Sequence, residues 1–152
     1  MTPRHVLLAV LVVAIWGTNF VVIKAALATL PPLLFAALRF TLAFVPAALF
    51  VARPNMPWRT LAAYGALIGS QFGLMFIAMR ADITPGLASL VIQTQVFFTI
   101  GLAMLFNRER LRRVQVIALA LAAVGLAVIA GHTDAATTPL GLALVLAAAL
   151  CW

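Results

Sequence analysis

Five side chains sit where a greasy sequence has little use for them. Trp16, Asn19, Arg39, Gln71 and Gln93 each interrupt a long aliphatic run. Their chemistry is recognition, not bond-making. An arginine fork presents paired N–H donors that match a carboxylate. Amides donate and accept at once, and an indole supplies a flat apolar wall with one polar corner. Arg39 lies about six residues inside LLFAALRFTLAF. Even the lenient insertion scale charges ~2.5–3.5 kcal/mol for a cation at the centre of a membrane span. Two placements relieve that cost: facing a bundle or wet cavity and taking a carboxylate there, or snorkelling outward to an interface and its carbonyls.

The same accounting applies along VAIWGTNFVVIK. Trp16, Asn19, Phe20 and Ile23 share one helical face, so Asn19 either bonds across to another helix or lines a polar cavity walled by Trp16. Lys24 falls at the end of the run, where an interfacial position is cheap. In GLASLVIQTQVFFT, Ser89 and Gln93 are four apart and co-facial, whereas Gln93 and Gln95 are about 200° apart on a continuous helix. That spacing predicts one glutamine on the cavity and the other bridging helices. Gly65, Gly69 and Gly73 form a small-residue stripe suited to close helix packing. Tyr64, Ile68, Gln71 and Met75 lie on a different stripe.

Several chemistries lack their reagents. Asp82, Glu109 and Asp134 are the only acids, all in predicted linkers, so no span carries a carboxylate for a proton relay. There is no Ser/His/Asp or Cys/His arrangement, no glycine-rich phosphate loop and no metal-ligand spacing, so neither an enzyme nor a bound metal or cofactor is expected. His5 and His132 fall at segment ends, and Cys151 is the single cysteine.

The elements that carry these residues follow from composition. Of 152 residues, 66% are hydrophobic and 9% charged, against about 45–50% and 25% in a soluble domain. Lipid is therefore the expected solvent. Five apolar runs approach the ~20 residues that cross a bilayer core: about 6–23, 33–52, 61–79, 86–106 and 114–130. Short linkers with Pro31-Pro32, Pro54, Pro57, Pro85-Gly86, Gly131 and Pro139 make successive helices antiparallel. No period-two alternation suggests a barrel. The first run exceeds a signal-peptide core of 7–15 residues, and reads as a span.

Net charge is +7, yet the basic residues punctuate the runs and form no phosphate-tracking face, which argues against nucleic acid. Counted by side, Arg4, Arg53, Arg59, Arg108, Arg110, Arg112 and Arg113 face Lys24 and Arg80. That bias predicts a cytoplasmic amino terminus. A sixth run starts at Pro139. LAVLVVAIW, ending at Trp16, is echoed by LVLAAALCW, ending at Trp152. After an odd number of spans, such an echo predicts a second repeat in inverted topology, with residues 1–131 as the first repeat and 132–152 as a linker and the truncated opening of the next.

Taken together, WGTNFVVIK, PPLLFAALRF, FVARP, GLASLVIQTQVFFT, ERL and GLAVIAG resemble the EamA family of the drug/metabolite transporter superfamily, most of all its O-acetylserine/cysteine exporter branch. The resemblance runs over essentially the whole chain. It implies an all-α polytopic protein of the bacterial inner membrane, with ten helices in two inverted five-helix repeats around a central export cavity. The family's first-helix motif then falls on Trp16, Gly17, Asn19 and Lys24, its second-helix arginine on Arg39, its fourth-helix motif on Gly86 through Gln95, and its cytoplasmic glutamate on Glu109. The expected function is export of small metabolites, amino acids or relatives such as cysteine and O-acetylserine. Trp16, Asn19, Arg39, Gln71 and Gln93 are the expected substrate-binding residues. The expected partners are the bilayer, the metabolite, and a second repeat or second copy of the chain. Two other readings fit the residues: a half-size exporter acting as a dimer, and a non-transporting structural or assembly membrane protein.

Overall fold

A computed structural model describes residues 2–51, 55–108, 110–131 and 137–152. Expectations resting on Arg53, Pro54, Glu109, His132 and Asp134 lie outside the described residues. Among those described there are six helices and no strand. They are α1 (Pro3–Leu27), α2 (Pro32–Phe50), α3 (Trp58–Ala81), α4 (Pro85–Asn107), α5 (Arg113–Ala130) and α6 (Pro139–Leu150). The all-α polytopic class follows directly. α4 is composite: an α-helical piece over Pro85–Val91, one 3-10 turn over Ile92–Thr94, and a second α-helical piece over Gln95–Asn107.

Proline sets where these helices start. Pro3, Pro32, Pro85 and Pro139 each open their helix, a position where the missing N–H would have had no partner and the fixed φ is already helical. Thr84 and Thr138 precede two of them and cap with their hydroxyls, accepting from the N–H groups of Leu87 and Gly141. α5 starts without a hydroxyl cap, and the Gln115 side chain accepts instead from the Arg112 N–H at 2.8 Å. α4 stops at Arg108, which turns into the left-handed conformation at φ 54, the common geometry for ending a helix. α2 runs on through Pro46 without a break.

α1, α2, α3 and α4 are long and apolar enough to cross a membrane. α5, at 18 residues, rises only ~27 Å, a little under the ~30 Å core. Of the five spans expected from sequence, four are helices of full length, and the fifth corresponds to a helix slightly shorter than the core.

Packing is uneven along the bundle. Its buried apolar residues fall in the second half of α1, the first turns of α2, the second half of α3, the first piece of α4, and α6. Because neighbouring helices run antiparallel, all of these lie toward one end, the end that holds Leu27, Pro32, Ala81, Pro85 and Pro139. α6 is the centrepiece there and packs most extensively on α3. Its Val145, Ala148 and Ala149 are fully buried against neighbours such as Phe76 and Met79. Toward the opposite end the helices splay, and residues 40–50 of α2 and 3–18 of α1 are exposed. α5 stands apart. It makes only marginal contact with the other helices, and none of its described side chains is buried.

Two polar junctions close the packed end. The Lys24 ammonium donates to the carbonyl oxygens of Met79 at 2.6 Å and Arg80 at 3.2 Å, so α1 caps the carboxyl end of α3, where the helix dipole favours a cation. Lys24 is therefore bound to a neighbouring helix and not simply reaching for an interface. Asp82 meets Thr138 twice: its carbonyl accepts from the Thr138 N–H at 2.9 Å, and its Oδ1 accepts from the Thr138 hydroxyl at 2.9 Å. The crossing is so close that a Cβ on Gly141 would come within 2.7 Å of the Asp82 Cβ.

The glycine stripe behaves differently from its pattern. A Cβ on Gly73 would touch Leu33 of α2 at 3.5 Å, but one on Gly65 or Gly69 would meet nothing within 4 Å. Among the described residues, only the packed-end member of the stripe meets another helix.

Candidate functional site

Where packed and splayed ends meet, α1 to α4 and the end of α6 enclose a cleft of about 730 Å³. That volume lies within the ~300–1,000 Å³ usual for small-molecule sites. Trp16, Asn19, Arg39, Gln71 and Gln93 all line it. The five come from four different helices, and Trp152, two residues past the end of α6, closes the cleft.

Each wall follows from local geometry. On α1, Trp16, Asn19 and Phe20 face the cleft, while Ile23, one turn further, is buried in the core beneath. Trp16 remains 59% exposed, an open indole face on the cleft's rim. On α3, Gln71 and Met75 sit four apart on one stripe and both reach the cleft. Gln71 is only 1% exposed, and its Oε1 has no hydrogen-bond partner. Burying an amide oxygen without a donor costs about 1–3 kcal/mol, and packing alone gives no reason to keep it there.

α2 contributes Arg39. Its guanidinium carbon lies 4.9 Å from the centre of the Phe72 ring and 6.0 Å from that of Phe76. No hydrogen bond or ion pair from the described residues reaches it. Of the two placements open to Arg39 on sequence grounds, the cavity-facing one is found, with aromatic faces standing beside the charge.

α4 contains a departure from expectation. Ser89 and Gln93 face the cleft together, but Gln95 lines it as well. The 3-10 turn explains this. Its residues advance about 120° each in place of 100°, which narrows the gap between the two glutamines from about 160° to about 120°. Gln95 Nε2 donates to Gln93 Oε1 at 3.5 Å, the outer limit of a hydrogen bond, and Gln95 Oε1 is buried without a partner. The glutamines thus share one cavity instead of dividing between cavity and helix contact.

Phe72 and Trp152 were not singled out from sequence as cleft residues. Phe72 adjoins Gln71, but α3 is apolar on several faces and its pattern does not separate a cleft phenylalanine from a core one. Trp152 had a signal in its echo of Trp16, and the two tryptophans do line the same cleft. Among the described residues, the lining contains one formal charge, that of Arg39, and no carboxylate. Among the described residues no group of acidic, histidine or cysteine side chains could hold a metal. The arrangement can bind and orient an anion-bearing small molecule.

Residues 3–131 match the family described as the EamA-like transporter family, and the chain belongs to that family. It is 45% identical to a probable amino-acid metabolite efflux pump of Salmonella typhimurium (strain LT2), over 100% of this chain and 52% of that protein. A protein of the same description from Escherichia coli (strain K12) is 44% identical over the same shares. An uncharacterised inner membrane transporter of Escherichia coli (strain K12) is 25% identical over 91% of this chain and 47% of its own length. The chain therefore spans about half the length of the curated relatives it matches. No solved structure matches it significantly.

Proposed function

We propose that this chain builds one side of an export pathway for small amino-acid metabolites, such as cysteine or O-acetylserine, in the bacterial inner membrane. The observation that carries the reading is one cleft lined by Trp16, Asn19, Arg39, Gln71 and Gln93, with no ion-pair partner for Arg39 among the described residues. Arg39 takes the substrate carboxylate. Asn19, Gln71 and Gln93 supply hydrogen bonds to its polar substituents, and Trp16 forms the apolar wall. The names of the two most similar relatives described above support the substrate class.

Residues 1–131 act as one five-helix repeat, and the cleft's open side is closed by a second, inverted repeat or its equivalent from another copy. With the amino terminus in the cytoplasm, the splayed end faces the cytoplasm and the packed end faces outward. That is the arrangement of a pathway open to its cargo side. Alternating access then requires the packed end to part while the splayed end closes.

The test is efflux from bacteria expressing the intact protein, with medium cysteine and O-acetylserine measured against time. Arg39→Ala should raise the apparent KM roughly a hundredfold, the value of one charge-assisted bidentate contact. Efflux unaffected by Arg39→Ala would remove the cleft from the pathway. No efflux from the wild-type protein would favour a structural or assembly role.

A further inference from the structure

A lone arginine in an apolar wall raises a question that its proposed ligand does not answer. Before any substrate arrives, something must hold the charge and keep its donors free. A carboxylate neighbour would do the first and defeat the second, because it would occupy the fork and cancel the attraction for an anion. None of the described residues brings one to the cleft. What faces Arg39 instead is the ring of Phe72, 4.9 Å from the guanidinium carbon.

We infer that Phe72 positions Arg39 for its substrate, its ring face standing in the place of a counter-ion. This rests on the reading of Arg39 as the carboxylate site. An aromatic face attracts a cation through its quadrupole, and does so most strongly where water is excluded. It accepts no conventional in-plane hydrogen bond, so the N–H fork stays unspent and the cleft keeps its net positive charge. Phe76 lies further away, at 6.0 Å, and is fully buried. Phe72 alone of the two lines the cleft.

The ring is itself held in place. Phe40 packs edge-on against Phe72 with centroids 5.4 Å apart and planes at 77°. Phe76 also packs against it, with centroids 5.7 Å apart. Phe40 is the residue next to Arg39 in sequence, so α2 carries both the cation and the brace for the ring that holds it. The arrangement sets the substrate class more narrowly. It favours a ligand with a free carboxylate over the corresponding amide or ester, since only the carboxylate uses the open fork.

The experiment measures transport by the intact protein in proteoliposomes, with L-cysteine as substrate and L-cysteinamide as competitor. Phe72→Leu keeps the apolar bulk and removes the quadrupole. It should raise KM for cysteine roughly tenfold with little change in kcat, and leave inhibition by cysteinamide unchanged. Phe72→Trp should restore KM. Should the leucine variant fail to assemble, pentafluorophenylalanine at position 72 keeps the ring's shape and reverses the charge of its face, and should raise KM in the same way.

Equal effects of Phe72→Leu and Phe72→Trp, a fall in kcat at constant KM, or equal losses for cysteine and cysteinamide would each overturn the assignment. So would an unchanged KM with the fluorinated ring. The underlying reading fails separately: Arg39→Ala without effect on KM removes the carboxylate site. An effect of Arg39→Ala with none from Phe72→Leu removes only the positioning role.

Discussion

The packed end of this bundle and its cleft use most of their polar groups in opposite ways. At the packed end, Lys24, Asp82 and Thr138 all have partners, across two junctions between helices. In the cleft beyond it, Gln71 and Gln95 keep buried oxygens with no donor, and Arg39 has ring faces but no ion-pair partner among the described residues. Polar groups that are costly to bury are usually paired. Where they are paired, they hold helices together. Where they are left unpaired around a cleft, their missing partner is the natural candidate for a ligand. The contrast has one exception, the Thr137 hydroxyl, which is buried without a partner at the packed end.

That contrast can be broken most severely at Gly141. Gly141→Ala places a methyl hard against the Asp82 carbonyl oxygen, 2.7 Å from its Cβ and 2.8 Å from its carbonyl carbon. Backbone cannot move aside cheaply, so the cost should reach about 3 kcal/mol, the upper range for overpacking. The thermal midpoint of the intact protein in detergent should fall clearly. An unchanged midpoint would mean that α6 can shift at this end without penalty, and the fastening role would be lost. Asp82→Ala probes the same junction more gently. It removes the acceptor for the Thr138 hydroxyl and should cost about 1 kcal/mol, read by the same melt. Efflux at temperatures below the transition should keep its KM.

The smallest effect belongs to the opposite end. Gly65→Ala makes the identical chemical change where a Cβ meets nothing within 4 Å. Helix propensity then favours alanine by up to about 1 kcal/mol, so the melt should stay or rise slightly. A marked loss of stability would instead reveal a helix packed on the stripe in the intact membrane protein, as the glycine spacing predicts.

These glycines also mark how far the sequence could be read. Helix existence and starts were legible because apolar runs and leading prolines are local signals. The cleft's polar members were legible because lipid makes each of them expensive, which is why Asn19, Arg39, Gln71 and Gln93 could be named before their geometry was known. Partnerships were not. Asp82 and Thr138 are 56 residues apart, and nothing in either segment announces the other. Lys24 similarly finds carbonyls 55 and 56 positions away. Gly141 carries no periodic cue, although a methyl there would collide with backbone, whereas Gly65 belongs to a conspicuous stripe and touches nothing. Gln95 was misjudged because a wheel drawn for one continuous helix does not anticipate the 3-10 turn at Ile92–Thr94.

α5 shows what lipid allows that water would not. In water, an isolated 18-residue helix would be marginal at best, and its near absence of contacts would leave it frayed. In hydrocarbon the balance reverses, since every opened backbone hydrogen bond costs several kcal/mol with no solvent to replace it. α5 accordingly needs no neighbour to remain a helix. Its fold is secured by the bilayer, so its position is thermodynamically decoupled from its integrity. Among the described residues, its integrity rests on its own backbone bonds, whereas that of α6 rests also on the helices packed around it.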